Sequence, residues 1–146
     1  MKNKRFHKLL SLLLGMMLIA AMALLTTGCN GNTKEPVPTK GPEDQTTQLG
    51  TGATSFLFTV VDKDKNETYF EIHTDKTIVG EALLELELIS GDEGQFGLYV
   101  KTVNGITADY DTDGTYWAFY VNGEYAPSGV DTTEIVEGYA YSFRVE

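Results

Sequence analysis

The sequence predicts an α+β domain in which one helix packs on a mixed β-sheet. Residues 56–61 and 68–74 alternate as half-buried strands do, and the segment after them repeats apolar residues at helical spacing. The chain then returns to strand-like segments separated by Gly- and Asp-rich turns. A hairpin, one helix and further strands together predict two layers, of which a β-grasp-like sheet is the simplest version.

The first two strands are joined by a polar turn into a hairpin. Phe56, Phe58 and Val60 occupy alternate positions and share one face of the first strand. Residues 62–66 (DKDKN) predict a turn of about five residues, and residues 68–74 return as the second strand. The turn resembles the start of a calcium loop, but its lysines and its lack of glycine favour a solvated turn.

A single helix follows the hairpin. Thr77 is a suitable N-cap, because its hydroxyl oxygen can accept a hydrogen bond from a free N–H group of the first turn. The helix is expected to run out near residues 90–91. If the strands before and after it lie parallel in one sheet, their connection is a right-handed crossover. The apolar residues at helical spacing are Ile78, Ala82, Leu83 and Leu86.

Three further strands are expected at residues 97–103, 115–121 and 139–145. Asn-Gly pairs favour turns with positive φ, so the pairs at 104–105 and 122–123 predict turns at strand ends.

Side chains along the strand at residues 115–121 are expected to alternate between the core and the opposite face of the sheet. The core set is Trp117, Phe119 and Val121, and the opposite set is Tyr116, Ala118 and Tyr120.

The first 28 residues have the composition of a secretory signal peptide. Four basic residues lie among the first eight, residues 9–25 are an uninterrupted run dominated by Leu, Met and Ala, and small residues precede Cys29. The run of 17 residues is slightly shorter than the roughly 20 that span a bilayer, so a retained transmembrane anchor is the weaker alternative. Residues 25–29 (LTTGC) resemble the lipobox of bacterial lipoproteins, which implies lipid on Cys29 and anchoring at the extracytoplasmic face of the cell membrane.

Residues 29–54 are expected to form the lipidated cysteine and a disordered tether. The segment is rich in Thr, Gly, Pro, Asn and charge, and its only sizeable apolar residues are Val37 and Leu49. Such a segment buries too little apolar surface to become ordered. The folded domain is therefore expected to comprise residues 55–146.

The charge of the chain limits its partners. The precursor carries 11 basic and 21 acidic residues. Removal of residues 1–28 takes away four basic residues and no acidic ones, which leaves seven against 21 and a net charge of −14. This charge repels phosphate backbones and anionic headgroups, so nucleic acid is excluded and the membrane is contacted only through the lipid anchor.

The residue inventory argues against catalysis. Without the signal peptide, Cys29 is the only cysteine and His73 the only histidine. No disulfide or Cys/His zinc site can form, and no G-x-S-x-G motif accompanies His73. The chain is expected not to be an enzyme and to carry no covalent cofactor other than lipid.

Five segments of the predicted domain stand out together: residues 76–83 (KTIVGEAL), 103–106 (VNGI), 116–124 (YWAFYVNGE), 128–130 (SGV) and 137–139 (EGY). In this order they resemble the transcobalamin-like C-terminal domain, which occurs in many bacterial surface lipoproteins and was formerly a domain of unknown function. The resemblance covers residues 55–146. In the vitamin carriers of this family, such a domain closes over cobalamin as the smaller of two halves, which implies a corrinoid-like ligand here.

The candidate ligand residues are tyrosines and one Asn-Gly turn near the fourth strand. A tyrosine combines apolar area with a hydrogen-bonding tip, which suits an apolar ligand rimmed by amides. The alternative is that these tyrosines merely cover the sheet. The predicted set is Asn104, Gly105, Tyr110, Tyr116 and Tyr120.

Residues 109–114 (DYDTDG) match the first half of a calcium loop. The carboxylates of Asp109, Asp111 and Asp113 can converge when the chain curls, and Gly114 permits the sharp turn. Tyr120 occupies the position of the bidentate glutamate of an EF-hand, so other ligands would come from elsewhere. The alternative is a solvated acidic turn.

The sequence thus favours a non-enzymatic, lipid-anchored extracellular binding module, accessory to uptake of a corrinoid-like vitamin or another nutrient through a transporter or surface-protein partner. The alternative function is a calcium-binding structural or adhesion module without an organic ligand. Exposed aromatic residues on the fourth strand favour the first function, and convergence of the three aspartates favours the second.

Overall fold

The computed structural model of the chain describes residues 45–146, which form strands and two short helices. The α+β class predicted from the sequence is confirmed. In chain order the elements are β1 (Thr46–Gly50), β2 (Thr54–Val61), β3 (Glu67–Thr74), α1 (Val79–Glu85), β4 (Ile89–Gly94), β5 (Gly97–Val103), β6 (Ile106–Thr107), α2 (Tyr110–Asp113), β7 (Trp117–Val121), β8 (Glu124–Tyr125) and β9 (Ala140–Val145).

Six strands form one mixed sheet in the order β1-β3-β2-β9-β7-β8. β1 lies parallel to β3 and β2 lies parallel to β9, whereas the other neighbours are antiparallel. We call the face that carries Phe56, Phe58 and Val60 the inner face, and these three side chains are buried. The opposite, outer face carries Tyr120 and Arg144, because neighbours along a strand point to opposite sides.

The β2–β3 hairpin closes over residues 62–66, as the sequence predicted. Asp62 organises this turn: its Oδ1 accepts hydrogen bonds from the backbone N–H groups of Asp64 (2.8 Å) and Asn66 (2.9 Å). Its Oδ2 accepts a bond of 2.8 Å from the side-chain amide of Asn66. These bonds, chiefly the one from the Asn66 side chain, lower the pKa of Asp62. The carboxylate therefore serves to hold the turn.

α1 begins without a side-chain cap. The prediction that Thr77 caps the helix was wrong, because Ile78 is the N-cap residue and makes no capping bond through its side chain. The first two helical N–H groups instead donate to the carbonyl oxygens of Thr133 and Val130, at 2.9 Å each. A neighbouring loop thus supplies the acceptors that a cap would otherwise provide.

α1 ends earlier than the sequence suggested, in a Schellman motif. Glu87 has a φ of 55°, the N–H of Leu88 donates to the carbonyl of Leu83 at 2.9 Å, and the N–H of Glu87 donates to that of Leu84 at 3.0 Å. Residues 90–91, expected at the end of the helix, belong to β4.

β4, β5 and β6 form a separate antiparallel sheet. The sequence placed residues 97–103 among the strands of a single sheet, which was wrong because β5 pairs with β4 instead. β3 and β5 therefore lie in different sheets, and the conditional crossover rule does not apply to them. The predicted turn at Asn104 and Gly105 joins β5 to β6 with φ values of 50° and 75°.

One hydrophobic core joins the inner face, α1 and the three-stranded sheet. Phe58 of β2, Ile72 of β3, Leu83 of α1 and Val103 of β5 are each 0% exposed and belong to the same cluster. Burial of this kind contributes about 1.5–3 kcal/mol per large apolar side chain.

The folded part extends further toward the N-terminus than the predicted boundary at residue 55. β1, which was expected to lie within the tether, adds to the sheet beside β3, with Leu49 opposite Ile72. Leu49 packs against the core, and this contact orders an otherwise polar strand. The predicted signal peptide, Cys29 and the first part of the tether lie outside the described residues. Within residues 45–146, neither helix is long and apolar enough to cross a membrane.

Candidate functional site

A cleft of about 280 Å³ lies between the three-stranded sheet and the inner face of the six-stranded sheet near β7. Its volume is slightly below the roughly 300–1,000 Å³ of typical ligand pockets. Its lining is mostly aromatic and aliphatic, and it includes no carboxylate, imidazole or thiol. The lining residues are Leu98, Tyr99, Val100, Trp117, Phe119, Tyr125, Ala126, Pro127, Ser128, Gly129, Val130 and Phe143.

Aromatic rings on adjacent strands form the floor of the cleft. Trp117 and Phe119 lie on the core side of β7, as the alternation in the sequence predicted, and Phe143 lies opposite Phe119 on β9. The ring centres of Phe119 and Phe143 are 5.0 Å apart, and those of Trp117 and Phe143 are 6.5 Å apart in an edge-to-face arrangement. These contacts fix the rings and give the cleft a rigid apolar floor.

The loop that contains residues 126–130 forms one wall, and backbone contacts hold it in place. The N–H of Ala126 donates to the carbonyl of Phe119 at 2.9 Å, and the carbonyl of Val130 accepts from Gly80 of α1 at 2.9 Å. A Cβ atom on Gly80 would lie 2.9 Å from that carbonyl oxygen. Glycine is therefore needed for the close approach of helix and loop.

Asp131 joins this loop to the opposite wall. Its Oδ2 accepts a hydrogen bond of 3.3 Å from the backbone N–H of Leu98, at the start of β5. Gly97, with a φ of 106°, lies so close that a Cβ atom there would be 2.5 Å from Oδ2 of Asp131. One carboxylate thus sets the spacing between the two walls.

The indole N–H of Trp117 is a buried donor without a hydrogen-bond partner. Trp117 is only 6% exposed and lines the cleft. An unsatisfied buried donor costs about 1–3 kcal/mol, and such groups are rare in folded proteins. A side chain that lines the cleft therefore carries an unused hydrogen-bond donor.

Tyr116 and Tyr120 lie on the outer face, away from the cleft, and share one carboxylate. The hydroxyl of Tyr120 donates to Oε1 of Glu146, and that of Tyr116 donates to Oε2 at 3.4 Å. The bond to Glu146 raises the pKa of Tyr120, while desolvation and then the charge of Glu146 raise the pKa of Tyr116. Of the five predicted ligand residues, these two are brought together through a common partner.

The other predicted ligand residues lie elsewhere. Asn104 and Gly105 form the β5–β6 turn, where the N–H of Asn104 donates to the carbonyl of Leu88 at 2.7 Å. Tyr110 begins α2 and is 63% exposed. None of the five predicted residues lines the cleft.

The acidic loop forms a helical turn in which local donors use two of the carboxylates. Asp109 is the N-cap of α2, and its Oδ1 accepts a bond of 3.1 Å from the N–H of Asp111. Asp113 accepts bonds from the hydroxyl (2.6 Å) and the N–H (3.0 Å) of Thr115, and the hydroxyl bond is the main cause of its lowered pKa. Gly114 ends the turn with a φ of 74°, so the sharp turn expected there is present.

A lysine ammonium group occupies the neighbourhood of Asp109. Nζ of Lys101 lies 3.2 Å from Oδ2 of Asp109 and 2.9 Å from Oδ2 of Asp92, and the bond to Asp92 is the main cause of a raised pKa of Lys101. In residues 45–146, no three His, Cys, Asp or Glu side chains come together as a group that could hold a metal ion. The convergence of Asp109, Asp111 and Asp113 expected from the sequence is therefore not observed.

The residues that shape the cleft were not predicted from the sequence. Residues 126–130 and Asp131 belong to a loop without periodicity, and only tertiary contacts reveal their role. Trp117 was expected to be simply a core residue. The available signal was the presence of a tryptophan, whose N–H needs a partner when it is buried.

The domain is similar to a known sequence family and to proteins of known structure. Residues 75–140 match the family described as a domain of unknown function, DUF4430. A candidate metal-binding protein from Ruminococcus gnavus ATCC 29149, solved at 1.30 Å resolution, is 31% identical with a TM-score of 0.61, and the match covers 64% of this chain and 97% of that one.

Haptocorrin in complex with Cbi is a more distant structural match, with 18% identity and a TM-score of 0.48. The match covers 67% of this chain but only 26% of haptocorrin, so the chain spans about a quarter of that protein. No curated protein matches the chain.

Proposed function

The chain belongs to the same family as the Ruminococcus gnavus protein, and from the geometry of the cleft we propose that it is a non-enzymatic binding module for a small organic ligand. The observation that carries this proposal is the unpartnered, buried indole N–H of Trp117, a residue that lines the cleft. A ligand that inserts an acceptor such as an amide carbonyl would satisfy this donor. Because the N–H is buried, insertion requires a small shift of the side chains around it.

The chemistry of the lining sets the class of ligand. Apolar and aromatic side chains favour a ligand with an apolar body, and the strongly acidic chain disfavours an anion. A corrinoid, which is a broad apolar disc rimmed by amides, meets both requirements. The cleft of about 280 Å³ can hold only an edge of such a molecule, so binding by this domain alone is weak and a transporter or surface-protein partner covers the rest.

The absence of acid–base groups from the lining supports a binding role without catalysis. Hydrolytic and proton-transfer chemistry requires a positioned base or nucleophile. Among the residues that line the cleft, only Ser128 and the tyrosines carry hydroxyl groups, and Ser128 pairs with the hydroxyl of Thr133 at 3.2 Å. We therefore assign the domain a role in capture.

Anchoring through lipid on Cys29 completes the proposal and places the domain at the extracytoplasmic face of the cell membrane. We expect wild-type protein to fractionate with membranes and Cys29→Ala to be released or to keep its signal peptide. Recovery of wild-type protein from the medium, with a mature terminus other than Cys29, would contradict the anchor.

Calorimetric titration of cobalamin into the chain from residue 30 onward tests the ligand proposal. We expect weak, saturable binding that Trp117→Phe reduces by up to about tenfold, because the substitution removes the donor and keeps most of the apolar ring. The double variant Tyr116→Ala and Tyr120→Ala is the control, since these residues lie on the outer face. No binding at high micromolar cobalamin rejects a corrinoid site, and full binding by Trp117→Phe rejects the role of the donor.

A second candidate function is calcium binding at the acidic turn, and the description of the Ruminococcus gnavus relative favours it. Within residues 45–146 the carboxylate of Asp111 makes no hydrogen bond or ion pair, whereas the carboxylate of Asp109 faces the ammonium of Lys101. A calcium ion would have to displace this ammonium before Asp109 could become a ligand. Binding is therefore expected only at the millimolar calcium concentrations found outside the cell.

Thermal unfolding with and without calcium tests this second function. Calcium at 100 times its dissociation constant would add about 2.7 kcal/mol to the free energy of unfolding, or roughly 10–20 °C in melting temperature. The shift is expected for wild type and not for Asp111→Ala. An equal response of the two proteins, or none in either, removes the calcium site.

A further inference from the structure

The outer face of the six-stranded sheet carries an arginine with few partners. Arg144 is the only arginine within residues 45–146, and it lies on β9 opposite Ala118 of β7 and Val61 of β2. Its guanidinium stacks on the ring of Tyr120, with 4.4 Å between the guanidinium carbon and the ring centre. This stacking fixes the plane of the guanidinium.

Apart from this stacking contact, the guanidinium has no hydrogen-bond or ion-pair partner within residues 45–146. Its Nε is buried without a hydrogen-bond partner, and in residues 45–146 no carboxylate lies within 4.0 Å of its nitrogens. This is unusual for a chain so rich in Asp and Glu, because arginine forms strong bidentate bonds with carboxylates. A guanidinium held in place without an acceptor is suited to an acceptor from outside.

Tyrosines donate hydrogen bonds to two glutamates of the outer face. Glu146 accepts hydrogen bonds from Tyr116 and Tyr120, and Glu67 accepts one from Tyr69. Both glutamates nevertheless line the same cavity as Arg144. Neither carboxylate forms an ion pair with Arg144.

The cavity has about 320 Å³ of space and carries both signs of charge. Lys65 and Arg144 supply positive charge, Glu67 and Glu146 supply negative charge, and Val61 adds an apolar surface. A smaller cavity beside it is also lined by Val61, Glu67 and Arg144, together with the hydroxyl-bearing side chains of Thr59 and Ser142. Positive, negative and apolar side chains therefore lie close together. We call these two cavities, which share Val61, Glu67 and Arg144, the outer pocket.

We propose that the outer pocket binds a free α-amino acid. The carboxylate of the amino acid pairs with Arg144, its ammonium group lies toward Glu67 and Glu146, and its side chain contacts Val61. A zwitterion suits this domain better than a simple anion, because its net charge of zero avoids repulsion by the acidic chain. This pocket lies on the opposite face of the sheet from the cleft, so it is a second site, independent of the proposed function.

Nuclear magnetic resonance titration of the chain from residue 30 onward with L-alanine tests the proposal. We expect millimolar L-alanine to cause saturable shifts in the backbone amides of Val61, Ser142 and Glu146. Acetate and methylammonium each carry half of the zwitterion, and we expect at least about tenfold weaker effects from either one. Arg144→Gln is expected to weaken L-alanine binding by about tenfold or more, and Arg144→Lys by less, because lysine keeps the charge but loses the bidentate geometry.

Lys76→Gln is the matched control, since it removes one positive charge from a lysine that pairs with Glu85 of α1 at 3.6 Å, outside the outer pocket. It should bind L-alanine as wild type does, and an unchanged amide spectrum away from β9 shows that each variant is folded. Equal binding by wild type and Arg144→Gln overturns the proposal, as does the absence of saturable shifts in wild type. Acetate binding as strong as that of L-alanine would identify a simple anion site and would overturn the zwitterion assignment.

Discussion

The two faces of the six-stranded sheet use the same alternation of residues for different purposes. Along β9, Tyr141, Phe143 and Val145 point inward and belong to the hydrophobic core, while Ser142 and Arg144 point outward. Packing holds the inner side chains, whereas hydrogen bonds and ring stacking hold the tyrosines, glutamates and arginine of the outer face.

The two faces of the sheet contribute differently to the stability of the domain. The inner face excludes water and contributes most of the free energy of folding, since apolar burial dominates that energy. The tyrosine–glutamate hydrogen bonds of the outer face are exposed to water, so each contributes little net free energy. Each face nevertheless keeps one buried donor beside a cavity, Nε1 of Trp117 and Nε of Arg144.

The largest expected effect separates the two faces at adjacent positions of β9. Phe143→Ala should lower the free energy of unfolding by about 3–5 kcal/mol, because it leaves a cavity among buried rings. Ser142, one residue earlier on the outer face, is only 8% exposed, but its hydroxyl makes no hydrogen bond within residues 45–146. Ser142→Ala should therefore change the free energy of unfolding by no more than about 0.5 kcal/mol. Urea denaturation measures both variants. Comparable losses in the two would show that the outer face contributes to stability as the inner face does.

A second prediction concerns the contact between α1 and the cleft loop. Alanine normally stabilises a helix relative to glycine by about 1 kcal/mol. Gly80→Ala should instead destabilise the domain by about 1–3 kcal/mol, because its Cβ atom would lie 2.9 Å from the carbonyl oxygen of Val130. It should also weaken ligand binding in the cleft by displacing that wall, while L-alanine binding in the outer pocket is unchanged.

Glu81→Ala is the matched control for Gly80→Ala, since Glu81 is the exposed neighbour in the same helical turn. It should leave the urea midpoint within the error of measurement. A Gly80→Ala protein as stable as wild type would show that the loop can move away, and the cleft would then not be rigid.

Much of the fold could be predicted because it depends on local patterns. The alternation in β2 and β7 and the Asn-Gly turns are local, so a sequence read segment by segment places them correctly. β1 and β4 escaped prediction because their residues are mostly polar or glycine and become strands only by pairing with β3 and β5. No local pattern in the sequence indicates that the strands divide into two sheets.

The candidate site was predicted less well, for physical reasons. The D-x-D-x-D-G pattern describes carboxylate spacing, but it does not reveal that Lys101 and Thr115 supply competing donors. Tyr116 and Tyr120 were placed on the correct face, yet the cleft lies on the other face, where residues 126–130 line it together with Trp117. A cleft made by a loop depends on contacts such as those of Asp131, which no spacing in the sequence indicates.

The smallest expected change in the free energy of unfolding tests whether hydrogen bonds order the outer face. Tyr120→Phe removes the hydroxyl that donates to Glu146 and keeps the ring beneath Arg144. Because the group lies at the surface, the loss of unfolding free energy at neutral pH should be only about 0.5 kcal/mol. Tyr110→Phe, at an exposed position on α2, is the control and should have no effect.

The pH dependence makes this small effect measurable. The bond to Glu146 raises the pKa of Tyr120 above its ordinary value of 10.0. Between the pKa of Tyr120 in the unfolded state and that in the folded state, the native protein holds a proton that the unfolded chain has lost. The contribution of this hydrogen bond to the free energy of unfolding is therefore complete below pH 10 and is lost as pH rises through the pKa of the folded state. The stability difference between wild type and Tyr120→Phe should therefore shrink above pH 10, and ultraviolet titration should show one fewer late-ionising tyrosine in the variant. A difference that is constant with pH would mean that Glu146 does not accept this bond, and the outer face would then be ordered by ring stacking alone.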